Sequence, residues 1–189
     1  MTTWGFIGSG NIGTTVARLA IAAGHDVVLS NSRGPQTLAD VVDDLGPHAR
    51  AATAAEAARD GDVVVVTIAL RNYQQVPAEE LRDKIVIDTM NYYPQRDGNI
   101  AELDDESTTS SALLQAHLPD SKVVKGFNNI FFQHLAALPR VTGAQDRSAL
   151  AIAGDDPVAK KVVAELFDEI GYDTVDLGPL WQGLSTVAS

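Results

Sequence analysis

The chain contains no cysteine, which excludes disulfides, thiolate nucleophiles and sulfur-ligated metals. Its four histidines, His25, His48, His117 and His134, include no pair at the i, i+4 spacing of a helical zinc site. No metal centre is therefore expected. Basic residues are scarce: 14 Lys plus Arg stand against 25 Asp plus Glu, a net charge of −11. A field of that sign repels nucleic acid and anionic lipid, so neither is an expected partner, and any polyphosphate must be met by a local set of donors. No apolar run approaches the roughly 20 residues that span a bilayer. The start, Met1-Thr2-Thr3-Trp4-Gly5, has no basic leader, and the cytoplasm is the expected location. What the chain does have is 45% hydrophobic residues over 189 positions, enough to bury roughly 70% of its unfolded surface. A single domain over 1–189, with a short tail at 179–189, is expected.

Short apolar runs alternate with helical patterns throughout, the mark of successive βαβ units. Strands are expected at Thr3–Ile7, Asp26–Ser30, near Arg50, and at Asp62–Thr67, Lys84–Asp88, Lys122–Lys125, Ser148–Ala153 and Asp173–Leu177. Helices are expected at 11–23, 36–45, 111–117, 131–138 and 157–170. The run of valines from Val63 to Val66 is apolar on both faces, as a central parallel strand must be when helices cover it on two sides. The fold class is α/β: a doubly wound, mostly parallel sheet in a three-layer αβα arrangement. From Thr89 to Ser111 the pattern breaks into a polar loop too long to be a mere connection.

Gly8-Ser9-Gly10-Asn11-Ile12-Gly13 fits GxGxxG, directly after a strand and directly before a helix, the context of an NAD(P)-binding Rossmann fold. Gly8 allows the tight turn, Gly10 lets backbone approach a pyrophosphate, and Gly13 lets the helix pack on the strand. The free N–H groups of the helix N-terminus then offset the unfavourable global charge. Where an NAD enzyme carries an acidic residue for the ribose hydroxyl, this chain reads Ser30-Asn31-Ser32-Arg33. Hydroxyls, an amide and a guanidinium suit a 2′-phosphate, so NADP(H) is the expected cofactor. The same residues could also simply cap the helix that Pro35 begins.

Thr67, Ile68 and Ala69 end a strand at the carboxyl edge, where they would lie along the dinucleotide. Two further strand ends, Asp88-Thr89-Met90-Asn91 and Lys125-Gly126-Phe127-Asn128-Asn129, face the same edge. Asn91, Phe127 and Asn128 are expected to line a hydride site, and Lys125 to bind a cofactor phosphate or an acidic acceptor. Asp88 serves equally well as a loop brace. No Tyr-x-x-x-Lys pair, GxSxG elbow or P-loop occurs. His134, two turns into a helix, is expected to be exposed or packed. The site thus lacks a strong acid or base, and no catalytic residue is assigned.

GFIGSGNIG, SNSR, VVVVTIA, IVIDTMN, KVVKGFNN and GYDTVDLGPL stand in an order and spacing that resembles the coenzyme F420-dependent NADP oxidoreductases over about the whole chain; the cytosolic NADPH:flavin domain of membrane ferric reductases is similar. The resemblance implies hydride exchange between NADPH and a small-molecule acceptor, F420 or a flavin such as FMN or FAD. It implies that Gly8, Ser9, Gly10, Asn11 and Ile12 wrap the pyrophosphate and that Ser32 and Arg33 hold the 2′-phosphate. Ala69 and Asn91 would approach the nicotinamide half, and Asn128 would lie where the rings meet. Family members usually continue further than this chain does after DLGPL. An NADP(H) sensor without turnover is the alternative reading. A hydroxyacid or pyrroline-carboxylate type reductase is disfavoured because it needs an additional helical domain. A homodimer is expected, since a lone Rossmann layer leaves the nicotinamide face open to water. The loop 89–111 and the tail with Leu180, Trp181 and Leu184 are the pieces available to cover it.

Overall fold

A computed structural model describes residues 1–181; Leu184, among the expected tail contacts, lies outside them. The elements run in the order β1 (Thr3–Ile7), α1 (Asn11–Ala22), β2 (Asp26–Ser30), α2 (Ala39–Leu45), β3 (Ala49–Ala51), α3 (Ala54–Asp60), β4 (Val63–Val66) and β5 (Ile85–Asp88). There follow α4 (Pro94–Asp97), α5 (Ala101–Asp104), α6 (Ser110–His117), β6 (Lys122–Lys125), α7 (Phe132–Ala137), β7 (Ala149–Gly154), α8 (Pro157–Glu169) and β8 (Asp173–Asp176). The strands form one sheet of order β3-β2-β1-β4-β5-β6-β7-β8. All neighbouring pairs are parallel except β6 and β7. The fold is a doubly wound, Rossmann-type α/β sheet. The chain reverses direction across the sheet between β1 and β4, the switch point at which ligands of such folds bind.

Side chains on alternating positions of the central strands feed two cores. Trp4, Phe6, Val63, Val65, Ile87 and Val124 face α1 and α8; Ile7, Val64, Val66, Val86 and Val123 face the layer containing α6. Gly5 carries no side chain because a Cβ there would lie 2.2 Å from the carbonyl oxygen of Ala57 in α3. Among the described residues no helix is long and apolar enough to cross a membrane.

One helix was not anticipated, and two expectations need correction. The residues between β3 and β4 form α3, started by a reciprocal capping box in which Thr53 Oγ1 accepts from the Glu56 N–H and the Glu56 carboxylate accepts from the Thr53 N–H. The expected helix 36–45 is two pieces, a 3₁₀ turn over Pro35–Leu38 followed by α2. The expected loop 89–111 holds the one-turn helices α4 and α5, drawn together by the Tyr92 hydroxyl, which donates to Asp104 Oδ1 (2.7 Å) and accepts from the Ile100 N–H (2.9 Å).

Candidate functional site

The turns after β1, β2, β4, β5 and β6 all emerge at one edge of the sheet, because those strands are parallel. Gly8 has φ +110°, and a Cβ there would meet the Thr67 carbonyl oxygen at 2.3 Å; one on Gly13 would meet the Gly8 oxygen at 2.7 Å. These two glycines let α1 start hard against the ends of β1 and β4. Gly10 differs, since nothing lies within 4 Å of a Cβ built on it. The space in front of the turn is open. Gly10 is also the N-cap of α1, with no side-chain cap and no acidic residue in the first turn. The first N–H groups of Asn11, Ile12 and Gly13 are thus left to an outside acceptor. Ser9, Asn11 and Ile12 border this turn, partly or fully exposed.

After β2 the chain turns back on Asn31. Its Oδ1 accepts from the Arg33 N–H at 2.9 Å, and its Nδ2 donates to Thr37 Oγ1 at 2.9 Å. The Asn31 amide, expected to contact a phosphate, also braces the loop. Ser32 and Arg33 stand exposed, and the Arg33 guanidinium has no carboxylate within 4 Å among the described residues. Thr67, Ile68 and Ala69 are half-buried beside Gly8.

Asn91 Nδ2 donates to the Asn128 carbonyl at 2.7 Å, so the loops after β5 and β6 meet. Asn128 Oδ1 is buried with no partner among the described residues. Phe127 departs from expectation. Its ring is 1% exposed and packs on Phe167 with centroids 4.4 Å apart, in the core and away from the edge. Its backbone is left-handed, φ +60°, which is unfavourable for an aromatic residue. The buried ring holds that turn in place. A Cβ on the preceding Gly126 would strike Phe167 at 2.9 Å.

Lys125 departs as well. It is 4% exposed, and its ammonium donates to Asp88 Oδ2 (3.2 Å), Ser110 Oγ (3.2 Å) and the Met90 carbonyl. Asp88, wholly buried, also accepts from the Met90 N–H and from Ser111 Oγ. The pair is a brace beneath the Asn91 loop, and protein partners take up the lysine's three N–H donors. His134 is exposed.

The sequence did not single out the set formed by Arg71, Arg96 and Asp97. The Asp97 side chain, fully buried, accepts from the Tyr93 N–H (3.0 Å), the Arg71 N–H (3.4 Å) and the Arg96 guanidinium. Burial pushes its carboxyl up, but the hydrogen bonds from Arg96, Tyr93 and Arg71 outweigh this and hold it below its ordinary value. Arg96 Nη2 in turn donates to the Asn91 carbonyl at 2.6 Å. The readable signal was Pro94-Gln-Arg-Asp-Gly98, with proline at a helix start and glycine past its end.

An open glycine turn at a helix N-terminus, on the switch point of a doubly wound sheet, defines an NAD(P)-binding Rossmann protein. Residues 3–92 match the family model described as NADP oxidoreductase coenzyme F420-dependent. A hypothetical protein of Sinorhizobium meliloti is 31% identical, with a TM-score of 0.82, over 95% of this chain and 86% of its own. A candidate F420-dependent NADP-reductase from Arthrobacter sp. FB24 is 25% identical, with a TM-score of 0.80 and the same coverages. A pyrroline-5-carboxylate reductase from Coxiella burnetii, 19% identical with a TM-score of 0.63, shares the fold over 93% of this chain but only 58% of its own. No curated protein matches the sequence. Residues 3–92 therefore carry the coenzyme F420-dependent NADP oxidoreductase family, and the fold as a whole resembles a candidate member of it.

Proposed function

We propose that the protein passes hydride between NADP(H) and a planar acceptor ring, F420 or a flavin. One observation carries this reading. Four ionisable groups on or beneath the Asn91 loop, Asp88, Arg96, Asp97 and Lys125, are all engaged by protein partners. Such a site can bind and orient, and none of these four groups is free to move a proton. Hydride transfer between two rings requires no such group.

The residues present fit the dinucleotide. The open space at Gly10 and the first turn of α1 would take the pyrophosphate, and Ser32 and Arg33 the 2′-phosphate. The orphaned Asn128 Oδ1 can accept from a carboxamide N–H, with Asn91 holding that loop. When bound, NADPH supplies the hydride. Tyr93, 38% exposed, and Phe131, 54% exposed, leave apolar ring surface on the two loops beside this point, suited to a flat acceptor. Mixing the protein with NADPH and then F420, FMN or FAD should bleach the near-ultraviolet NADPH band with one of the three. Tight NADPH binding with no bleaching by any of them would establish the sensor reading instead.

We also propose a cytoplasmic homodimer that covers the acceptor. Leu180 is buried, its carbonyl accepting from Thr109 Oγ1 at the start of α6. Trp181 is 71% exposed beside a groove of about 670 Å³ along α6. An exposed tryptophan of this kind is a typical interface anchor. Light scattering should return twice 20.0 kDa, and a monomer with full activity rejects the shared site.

A further inference from the structure

Nearly every cation of this acidic chain is matched. Among the described residues, only Arg33, Arg71 and Lys84 lack a carboxylate oxygen within 4 Å, although the chain holds 25 acidic residues. Lys84 Nζ is satisfied by the carbonyls of Arg59 and Gly61 at 2.5 and 2.6 Å, at the opposite edge of the sheet. Two guanidiniums remain, and both follow parallel strands at the carboxyl edge: Arg33 after β2 and Arg71 after β4. Arg33 is accounted for by the 2′-phosphate. Arg71 has no such assignment.

Arg71 is nevertheless held in place. Its backbone N–H donates to Asp97 Oδ1 and its guanidinium to the Arg96 carbonyl, on the loop that carries Asn91 and Tyr93. The charge of Arg96 is met by Asp97, whereas that of Arg71 is not. Arg71 is exposed, and its contacts with Asp97 and Arg96 tie it to the segment that carries Asn91. An uncompensated guanidinium anchored there is a ready partner for phosphate or carboxylate. We propose that Arg71 binds an anionic group on the side chain of the hydride acceptor, so that the protein selects acceptors with a charged tail over neutral ones with the same ring. This rests on the hydride-transfer reading above.

FMN and riboflavin share a ring and differ by one phosphate. Each is titrated into the NADP⁺-saturated protein and followed by flavin fluorescence. FMN should bind about tenfold more tightly, the worth of one charge-assisted contact. Arg71→Gln should erase that margin, Arg71→Lys should keep part of it, and riboflavin and NADP⁺ affinities should change by less than about twofold. F420 compared with its tail-free deazaflavin separates a phosphate-bearing tail from a requirement for the flavin ring itself. Equal affinity for the charged and neutral forms, no binding of either, or an Arg71→Gln loss falling on NADP⁺ overturns the assignment. NADPH oxidation, measured separately, tests the parent reading. A tail preference without turnover removes hydride transfer and keeps the anion site; turnover without a preference does the reverse.

Discussion

The side-chain amide of Asn91 donates to the backbone carbonyl of Asn128 across 2.7 Å, fastening the loop after β5 to the loop after β6. Asn128 follows the left-handed Phe127, whose ring is clamped by Phe167. The carbonyl is therefore presented by a turn that the core enforces. Asn91→Ala should cost about 1 kcal/mol of stability in urea unfolding, the net worth of one such bond. It should lower turnover with F420 or a flavin more than it weakens NADPH in calorimetry, because the pyrophosphate donors at α1 are untouched.

Arg33 is exposed and free of carboxylates among the described residues, so its substitution leaves no buried charge behind. Arg33→Ala should lose about 1.5–3 kcal/mol of NADPH binding, the range for a hydrogen bond to a charged group. NADH, which has no 2′-phosphate, should bind the variant as it binds the parent protein. Equal losses for the two nucleotides in calorimetry would remove the 2′-phosphate role.

Two glycines of one motif should fail in different ways. A side chain on Gly10 meets nothing within 4 Å, and its backbone, φ −78°, suits any residue. Gly10→Val should keep a cooperative melt while abolishing binding of both nucleotides. At Gly13 a Cβ would lie 2.7 Å from the Gly8 oxygen and 2.8 Å from Thr67 Cγ2. Gly13→Val must push α1 off the sheet, and its melting temperature should fall. Intact NADPH binding by Gly10→Val would leave the glycine turn a purely structural feature.

Strands were legible where local pattern and burial agree. The valine run at 63–66 and the segment Asp26–Ser30 read correctly because strands covered on both faces carry apolar residues at consecutive positions. Helix α3 was passed over because Ala-Ala-Glu-Ala-Ala-Arg-Asp offers small apolar residues and a weak stripe; the Thr53-x-x-Glu56 box was the readable cue. The antiparallel direction of β7 was not legible, since pairing direction depends on how the chain returns and not on local composition. Within the site, the glycine turn and the Asn91 and Asn128 strand ends were visible from spacing. The inward turns of Lys125 and Phe127 were not, because Asp88, Ser110 and Phe167, which hold them, are distant in sequence.

Lys125 and Asp88 form a buried pair, 5% and 0% exposed at their side chains. Lys125→Met keeps the length of the side chain but leaves Asp88 with only the Met90 N–H and Ser111 Oγ. Removing one partner of such a pair typically costs about 3–5 kcal/mol. Chemical denaturation should show that loss. The Lys125→Met, Asp88→Asn double variant should recover part of it, because no unpaired charge remains buried. A Lys125→Met protein of unchanged stability but weakened NADPH binding would return the lysine to the ligand site.

Asp97 links the 89–111 segment to acidity. Its carboxyl is held below the ordinary value of 3.8, since hydrogen bonds from Arg96, Tyr93 and Arg71 outweigh the opposing effect of burial. A depressed carboxylate contributes stability that is fully present above its unfolded pKa and is lost as pH falls through the folded one. The segment should therefore stay fastened at neutral pH and loosen only below the ordinary carboxylate value. Hydrogen exchange at the Tyr93 amide, which donates to Asp97 Oδ2, should be slow at neutral pH once corrected for its intrinsic rate, and lose protection on acidification. Asp97→Asn should lack that acid transition and show reduced protection of Tyr93 throughout, because a neutral amide cannot replace the carboxylate for both Arg96 and the two backbone donors. Equal Tyr93 protection in the parent and the variant across this range would mean that the segment is held by its other contacts, Tyr92 with Asp104 and Gly98 among them.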